Sequence, residues 1–223
     1  THFICVGTNV NDSRVSLFLS KTNQNIFASA GIHPHDAKDA PKDFIDQIYD
    51  LMASDRMVAV GEMGLDYYRN ISNPEIQKDV FRNQMHLAQE LDKPIIFHNR
   101  DADEDLIGIL SEFPDVIGVA HCFSSTLETA QAFMDMGYYI SFSGNLTFKN
   151  SHLPEVAKKI PLEKTLVETD CPFLSPVPYR GKPNEPGRTR FVAEKLGEIH
   201  DVSLEVIAEK TTGNAISLFN LTL

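Results

Sequence analysis

Short apolar runs recur along this chain at intervals of one strand plus one helix, and most of them end on an ionisable or polar side chain. Period-2 alternation predicts strands over residues 3–7, 26–32, 57–62, 94–98, 117–121, 138–143 and 165–170. The last six end at 32, 62, 98, 121, 143 and 170, so successive ends lie 30, 36, 23, 22 and 27 residues apart. Each interval fits one βα unit, and repeated βα units imply parallel strands with right-handed crossovers. An open doubly wound sheet gathers its site at one switch point. Here His33, Glu62, His98, His121 and Asp170 stand at or just past successive strand ends, which is the ring of residues that the catalytic face of a closed (β/α)8 barrel requires.

The intervening segments carry helix signals. Phe44, Ile45, Ile48, Leu51 and Met52 line one face of residues 41–54. Asn73 before Pro74 reads as an N-cap followed by N1. Ser125 and Glu128 form a capping box, and Gly137 closes that helix.

Strand alternation tests whether the polar ends point one way. Val58 and Val60 share a face with Glu62, Ile96 with His98, Val119 with His121, and Leu166 with Glu168 and Asp170. An apolar interior cannot hold ionised carboxylates without a metal or a partner. Glu62, His98, His121 and Asp170 are therefore candidate ligands of a divalent ion such as Zn²⁺, Mn²⁺ or Mg²⁺, and a carboxylate among them could bridge two ions that activate water against a phosphoryl group. In His33-Pro34-His35 the proline interrupts strand pairing, which predicts a loop over the pocket with His33 contacting phosphate or handling a proton. Cys122 and Cys171 follow candidate ligands and should turn away as packing residues. Glu168, one layer deeper than Asp170, is expected to pair with a loop cation. His2, His86, His152 and His200 read as structural or solvent-facing.

Charge bears on the substrate. The 223 residues hold 20 Lys+Arg against 31 Asp+Glu, a net charge of −11, which argues against unaided nucleic-acid binding. Residues 176–190 reverse the sign, with Arg180, Lys182, Arg188 and Arg190 against Glu185. Loops after the late strands of a barrel are common phosphate sites, so Arg180, Lys182 and Arg188, with Arg100 two residues past His98, are candidate substrate contacts. An apolar content of 42% excludes disorder, and three cysteines without a CxxC pair fit a reducing cytoplasm. The absence of an apolar run of about 18 residues predicts no membrane span. One domain over 1–223, monomeric, is the expectation.

Ala30-Gly31-Ile32-His33-Pro34-His35, Gly61-Glu62-Met63-Gly64-Leu65-Asp66-Tyr67-Tyr68, His98-Asn99-Arg100-Asp101-Ala102, His121-Cys122-Phe123, Glu168-Thr169-Asp170-Cys171-Pro172 and Arg180-Gly181-Lys182-Pro183-Asn184-Glu185-Pro186 occur in that order. Together they resemble the TatD family of metal-dependent deoxyribonucleases, which are amidohydrolase-like TIM barrels. The resemblance implies a TIM (β/α)8-type barrel and cleavage of DNA phosphodiester bonds from a strand end. It implies Glu62 as a bridging carboxylate, His98 and His121 at one metal, Asp170 at the other and orienting the attacking water, and His33 at the scissile region.

Family members begin with a strand ending in an Asp-Thr-His-x-His-type motif, whereas Thr1-His2-Phe3-Ile4-Cys5-Val6-Gly7-Thr8 resembles their second strand. With about 250 residues typical of the barrel, seven of eight strands are expected here, and two metals only where that histidine pair is present. Two other functions stay open: hydrolysis of an ester or amide such as an aminoacyl-tRNA linkage, and a metal-binding scaffold without turnover.

Overall fold

The computed structural model describes residues 1–222. Among them seven strands alternate with helices: β1 (Phe3–Val6), α1 (Val10–Thr22), β2 (Ile26–Ala30), α2 (Phe44–Met52), β3 (Met57–Asp66), α3 (Pro74–Glu90), β4 (Ile95–Arg100), α4 (Asp103–Ser111), β5 (Gly118–Ala120), α5 (Leu127–Asp135), β6 (Tyr139–Phe142), α6 (Leu153–Ala157), β7 (Thr165–Val167), α7 (Thr189–His200) and α8 (Leu204–Phe219). Strand order follows chain order. Two compact units are distinguished, residues 1–119 with the segment from Leu218, and residues 120–217.

In the first unit β1 pairs with β2, β2 with β3 and β3 with β4, all in parallel. β3 is buried along its whole length, as a parallel strand covered on both faces should be. α2 buries Phe44, Ile48 and Met52, the i, i+4, i+8 stripe of its amphipathic pattern. At the start of α3 the Asn73 side chain accepts from the Glu75 N–H, with Pro74 following it at N1.

The register of β3 against β4 shifts between Val60 and Met63, then aligns Gly64 with His98 and Asp66 with Arg100. Gly64 has φ +131°, and a Cβ there would lie 2.1 Å from the His98 carbonyl oxygen. Only glycine permits both that dihedral and that approach. Gly64→Ala is expected to destabilise the chain by about 2–3 kcal/mol, lowering the melting temperature by roughly 4–10 °C in a thermal circular-dichroism scan.

In the second unit β6 pairs in parallel with β7, Ile140 opposite Thr165 and Phe142 opposite Val167. The α5 cap is Thr126, one residue later than the sequence pattern places it. Thr126 is the extended residue, and its hydroxyl oxygen accepts from the Thr129 N–H. Gly137 ends the turn with φ +94°, the left-handed closure that glycine favours.

The strand ends depart from the period-2 pattern, most of all at β3 and β7. β3 runs four residues beyond Glu62, to Asp66. β7 stops at Val167, although the Glu168 N–H still donates to the Phe142 carbonyl at 3.0 Å. Asp170 then turns into the left-handed region at φ +54°. Glu62 and His98 are thus strand residues, whereas His33, His121 and Asp170 sit in the loops just past strand ends.

Candidate metal centre and active site

In the first unit, His33, Glu62 and His98 each offer a donor atom, and these atoms all lie within 4.8 Å of one another. Glu62 is buried, with Oε1 3.4 Å from His33 Nε2 and 3.4 Å from His98 Nδ1. The two imidazole centroids are 4.8 Å apart. A buried carboxylate facing two imidazoles is a donor set for a borderline divalent ion.

The hydrogen bonds behind these rings decide which nitrogen can coordinate. A neutral imidazole has one N–H and one lone pair. Asp66, 1% exposed, lies 3.2 Å from His98 Nε2 and 2.8 Å from His35 Nε2. An ionised carboxylate only accepts, so His98 carries its proton on Nε2 and turns the Nδ1 lone pair toward Glu62. His33 has the opposite polarity. Its Nδ1 accepts from the His35 backbone N–H at 3.1 Å, which leaves the proton on Nε2, the nitrogen facing Glu62. Glu62 and His98 therefore offer lone pairs, and His33 offers a donor.

Burial raises the Asp66 carboxyl, but hydrogen bonds from His98, the Arg69 N–H and His35 outweigh it and hold the group well below the usual carboxylate range. Burial lowers His35 more than its bond to Asp66 raises it, so His35 stays neutral near pH 7. Gln77 fixes the same corner, accepting from the Asp66 N–H at 2.8 Å and donating to its carbonyl at 3.2 Å.

The second unit repeats this carboxylate-backed arrangement. His121 Nδ1 lies 2.5 Å from Glu168 Oε2, and Nε2 lies 3.5 Å from Asp170 Oδ1. Glu168 accepts a hydrogen bond from the His121 Nδ1–H, which leaves the Nε2 lone pair facing Asp170. The expected pairing of Glu168 with a loop cation is corrected here, since its close contact is His121. Its Oε1 is buried without a hydrogen-bond partner, an unsatisfied anionic oxygen that a cation would satisfy. Histidine ligands whose far nitrogen is held by a carboxylate are the usual construction of metal centres, and the donors of both units fit divalent ions.

The remaining candidates separate by contact. Arg180 and Lys182 are exposed, the Arg180 guanidinium 3.6 Å over the Phe148 ring. Arg188 is tied into its own loop: Nη1 donates to Ser175 Oγ and the Pro183 carbonyl, and the guanidinium lies over Tyr179 at 4.3 Å. Cys122 places Sγ 3.0 Å from Ser143 Oγ, and burial pushes its thiol up, away from nucleophilic reactivity. His2, His86 and His152 are exposed, and burial lowers His200. No helix among the described residues is long and apolar enough to cross a membrane.

Asp66 is the residue that strand reading passes over. It lies within the Gly61 to Tyr68 motif, and its signal is the even spacing from Glu62 through Gly64. Ending the strand at Glu62 hides that signal.

A family model described as TatD related DNase matches residues 1–220. YabD of Bacillus subtilis, named an uncharacterized metal-dependent hydrolase, is 49% identical over 199 residues, covering 88% of this chain and 78% of that protein. A protein of Citrobacter rodentium named 3'-5' ssDNA/RNA exonuclease TatD is 33% identical over 228 residues, covering 99% of this chain and 87% of that one. The crystal structure of YJJV, a TatD homologue from Escherichia coli K12, superposes with a TM-score of 0.93 at 29% identity, over 99% of this chain and 87% of that one. An uncharacterized amidohydrolase from Saccharomyces cerevisiae shares the fold, with a TM-score of 0.87 at 19% identity over 98% and 88% of the two chains. The architecture is accordingly α/β and TIM-barrel-like. Matched along nearly its whole length by family model, sequence relatives and fold, the chain belongs to the TatD-related DNase family and is a metal-dependent hydrolase.

Proposed function

We propose that this chain hydrolyses phosphodiester bonds of DNA from a strand end, using divalent metal. The support is the pair of carboxylate-backed imidazoles, His98 behind Asp66 and His121 behind Glu168, each turning a lone pair toward an acidic side chain. The naming of the Citrobacter relative as a 3'-5' ssDNA/RNA exonuclease favours nucleic acid over other esters.

Glu62 and His98 would hold an ion in the first unit, and His121 and Asp170 would supply donors in the second. A divalent ion bound there would lower the pKa of a coordinated water and offset phosphoryl charge. Mixed nitrogen and oxygen donors suit Zn²⁺ or Mn²⁺ better than Mg²⁺. His33, protonated on Nε2, donates to a phosphate oxygen. Asp170, partly exposed at the end of its turn, accepts from the attacking water and aligns it. Arg100, Arg180 and Lys182 present exposed or half-buried cations to the flanking phosphates, and Arg188 positions the loop that carries two of them. In a chain of net charge −11, these residues and the metal supply the local attraction.

The experiment is incubation of the purified chain with an end-labelled oligodeoxynucleotide, with and without chelator, beside an aminoacyl ester substrate. Release of mononucleotides that chelator abolishes and added Mn²⁺ restores is expected. Cleavage indifferent to chelator, or hydrolysis of the aminoacyl ester alone, would contradict the proposal.

A further inference from the structure

Arg100 ends β4 two residues past His98, so its side chain leaves the strand on the same side as that histidine. Its guanidinium carbon lies 3.8 Å from the centroid of the Tyr68 ring. Tyr68 follows β3 two residues beyond Asp66, the register partner of Arg100, and the Tyr67 N–H donates to the Arg100 carbonyl at 2.9 Å. The backbone therefore holds the pair together at the strand ends that carry Asp66 and His98.

Two properties set this pair apart from an ordinary surface contact. Tyr68 is 60% exposed although the guanidinium covers one face of its ring, so the other face is open to solvent. Among the described residues no carboxylate pairs with Arg100, whereas Lys78, Arg82 and Arg190 each have an acidic partner. An unpaired cation held over an exposed aromatic ring, in an acidic chain and at the strand ends that carry Asp66 and His98, offers two kinds of contact at once. Aromatic faces stack single-stranded bases without regard to sequence, and arginine combines stacking with phosphate binding. Bases inside a duplex have both faces covered by their neighbours and cannot use such a platform.

Resting on the reading that this chain cleaves DNA, we propose that Tyr68 and Arg100 form a subsite for one unpaired nucleotide, with the base on the open face of Tyr68 and its phosphate on Arg100.

The test uses a single-stranded oligodeoxynucleotide carrying a terminal 2-aminopurine, whose fluorescence falls when the base stacks. It is first titrated into chelator-treated protein, where no turnover interferes. Quenching in the wild-type chain, loss of it in Tyr68→Ala and its retention in Tyr68→Phe are expected. In metal-loaded protein, the preference in kcat/KM for an intact over an abasic terminal residue is expected to fall about tenfold in Tyr68→Ala. Arg100→Ala is expected to raise KM for both substrates. Absence of quenching in the wild-type chain, or equal quenching in Tyr68→Ala, would overturn the subsite. A chain that binds and quenches the probe but cleaves no oligonucleotide would overturn the nuclease reading and leave the subsite standing.

Discussion

Glu62→Ala is expected to lower oligonucleotide hydrolysis by about 10³-fold or more, equivalent to about 4 kcal/mol of transition-state stabilisation. Glu62 is the buried carboxylate between His33 and His98, with Oε1 3.4 Å from a nitrogen of each. Its removal leaves one lone pair, His98 Nδ1, where two donors had converged, so a divalent ion loses both a ligand and the charge that offsets its own. His33 simultaneously loses the acceptor in front of its Nε2–H. Glu62→Gln separates these effects. The amide keeps the volume and an acceptor oxygen but lacks the charge, and it should retain the fold while losing most of the metal. Rates at saturating Mn²⁺, metal retained after dialysis and a melting scan of each variant provide the check. Activity within tenfold of the wild type in both would remove Glu62 from the mechanism.

Asp66→Asn should have the second-largest effect, although Asp66 need not touch metal or substrate. The carboxylate receives His35 Nε2 and His98 Nε2 on one oxygen and the Arg69 N–H on the other. An amide can accept at one position only. With its NH₂ toward the rings, His98 is driven to the tautomer whose lone pair is on Nε2, facing away from Glu62. Partners of metal-ligating histidines are worth about 10–100-fold in metal affinity, and a loss in that range is expected by calorimetric titration with Zn²⁺ or Mn²⁺. A merely structural Asp66 would move the melting temperature without moving affinity. The discriminating readout is the His98 ring ¹⁵N spectrum, which should show protonated Nε2 in the wild type and a shift toward protonated Nδ1 in the variant.

Much of this was legible in the sequence because ionised side chains at the ends of apolar runs have few physical explanations. Glu62 and His98 stand on their strands, and His121 and Asp170 sit just past the ends of theirs. What period-2 reading could not supply was the path of the chain where pairing becomes irregular. The register shift between Val60 and Met63 lets β3 continue to Asp66, so the most buried carboxylate of the site lay beyond the expected strand end. Beyond Val167 the phase assigned to Glu168 and Asp170 no longer describes a full strand. Glu168 turns to His121, and the left-handed Asp170 turns to the same ring. Side-chain destinations in the 176–190 loop were equally hidden. Local charge counts Arg188 with Arg180 and Lys182, yet its donors close the loop on Ser175 and Pro183. The tautomer of His33 depends on one backbone N–H, two residues on, which residue types alone do not reveal.

We propose that hydrolysis depends on divalent metal held by Glu62 and His98. The most direct test is to strip the chain with chelator, titrate Mn²⁺ back while counting bound ions by electron paramagnetic resonance, and follow nucleotide release from a single-stranded oligodeoxynucleotide in the same samples. The rate should rise from background in proportion to occupancy, with neither signal developing in Glu62→Ala. Full activity in the stripped chain, or Mn²⁺ binding by Glu62→Ala with wild-type affinity, would contradict it.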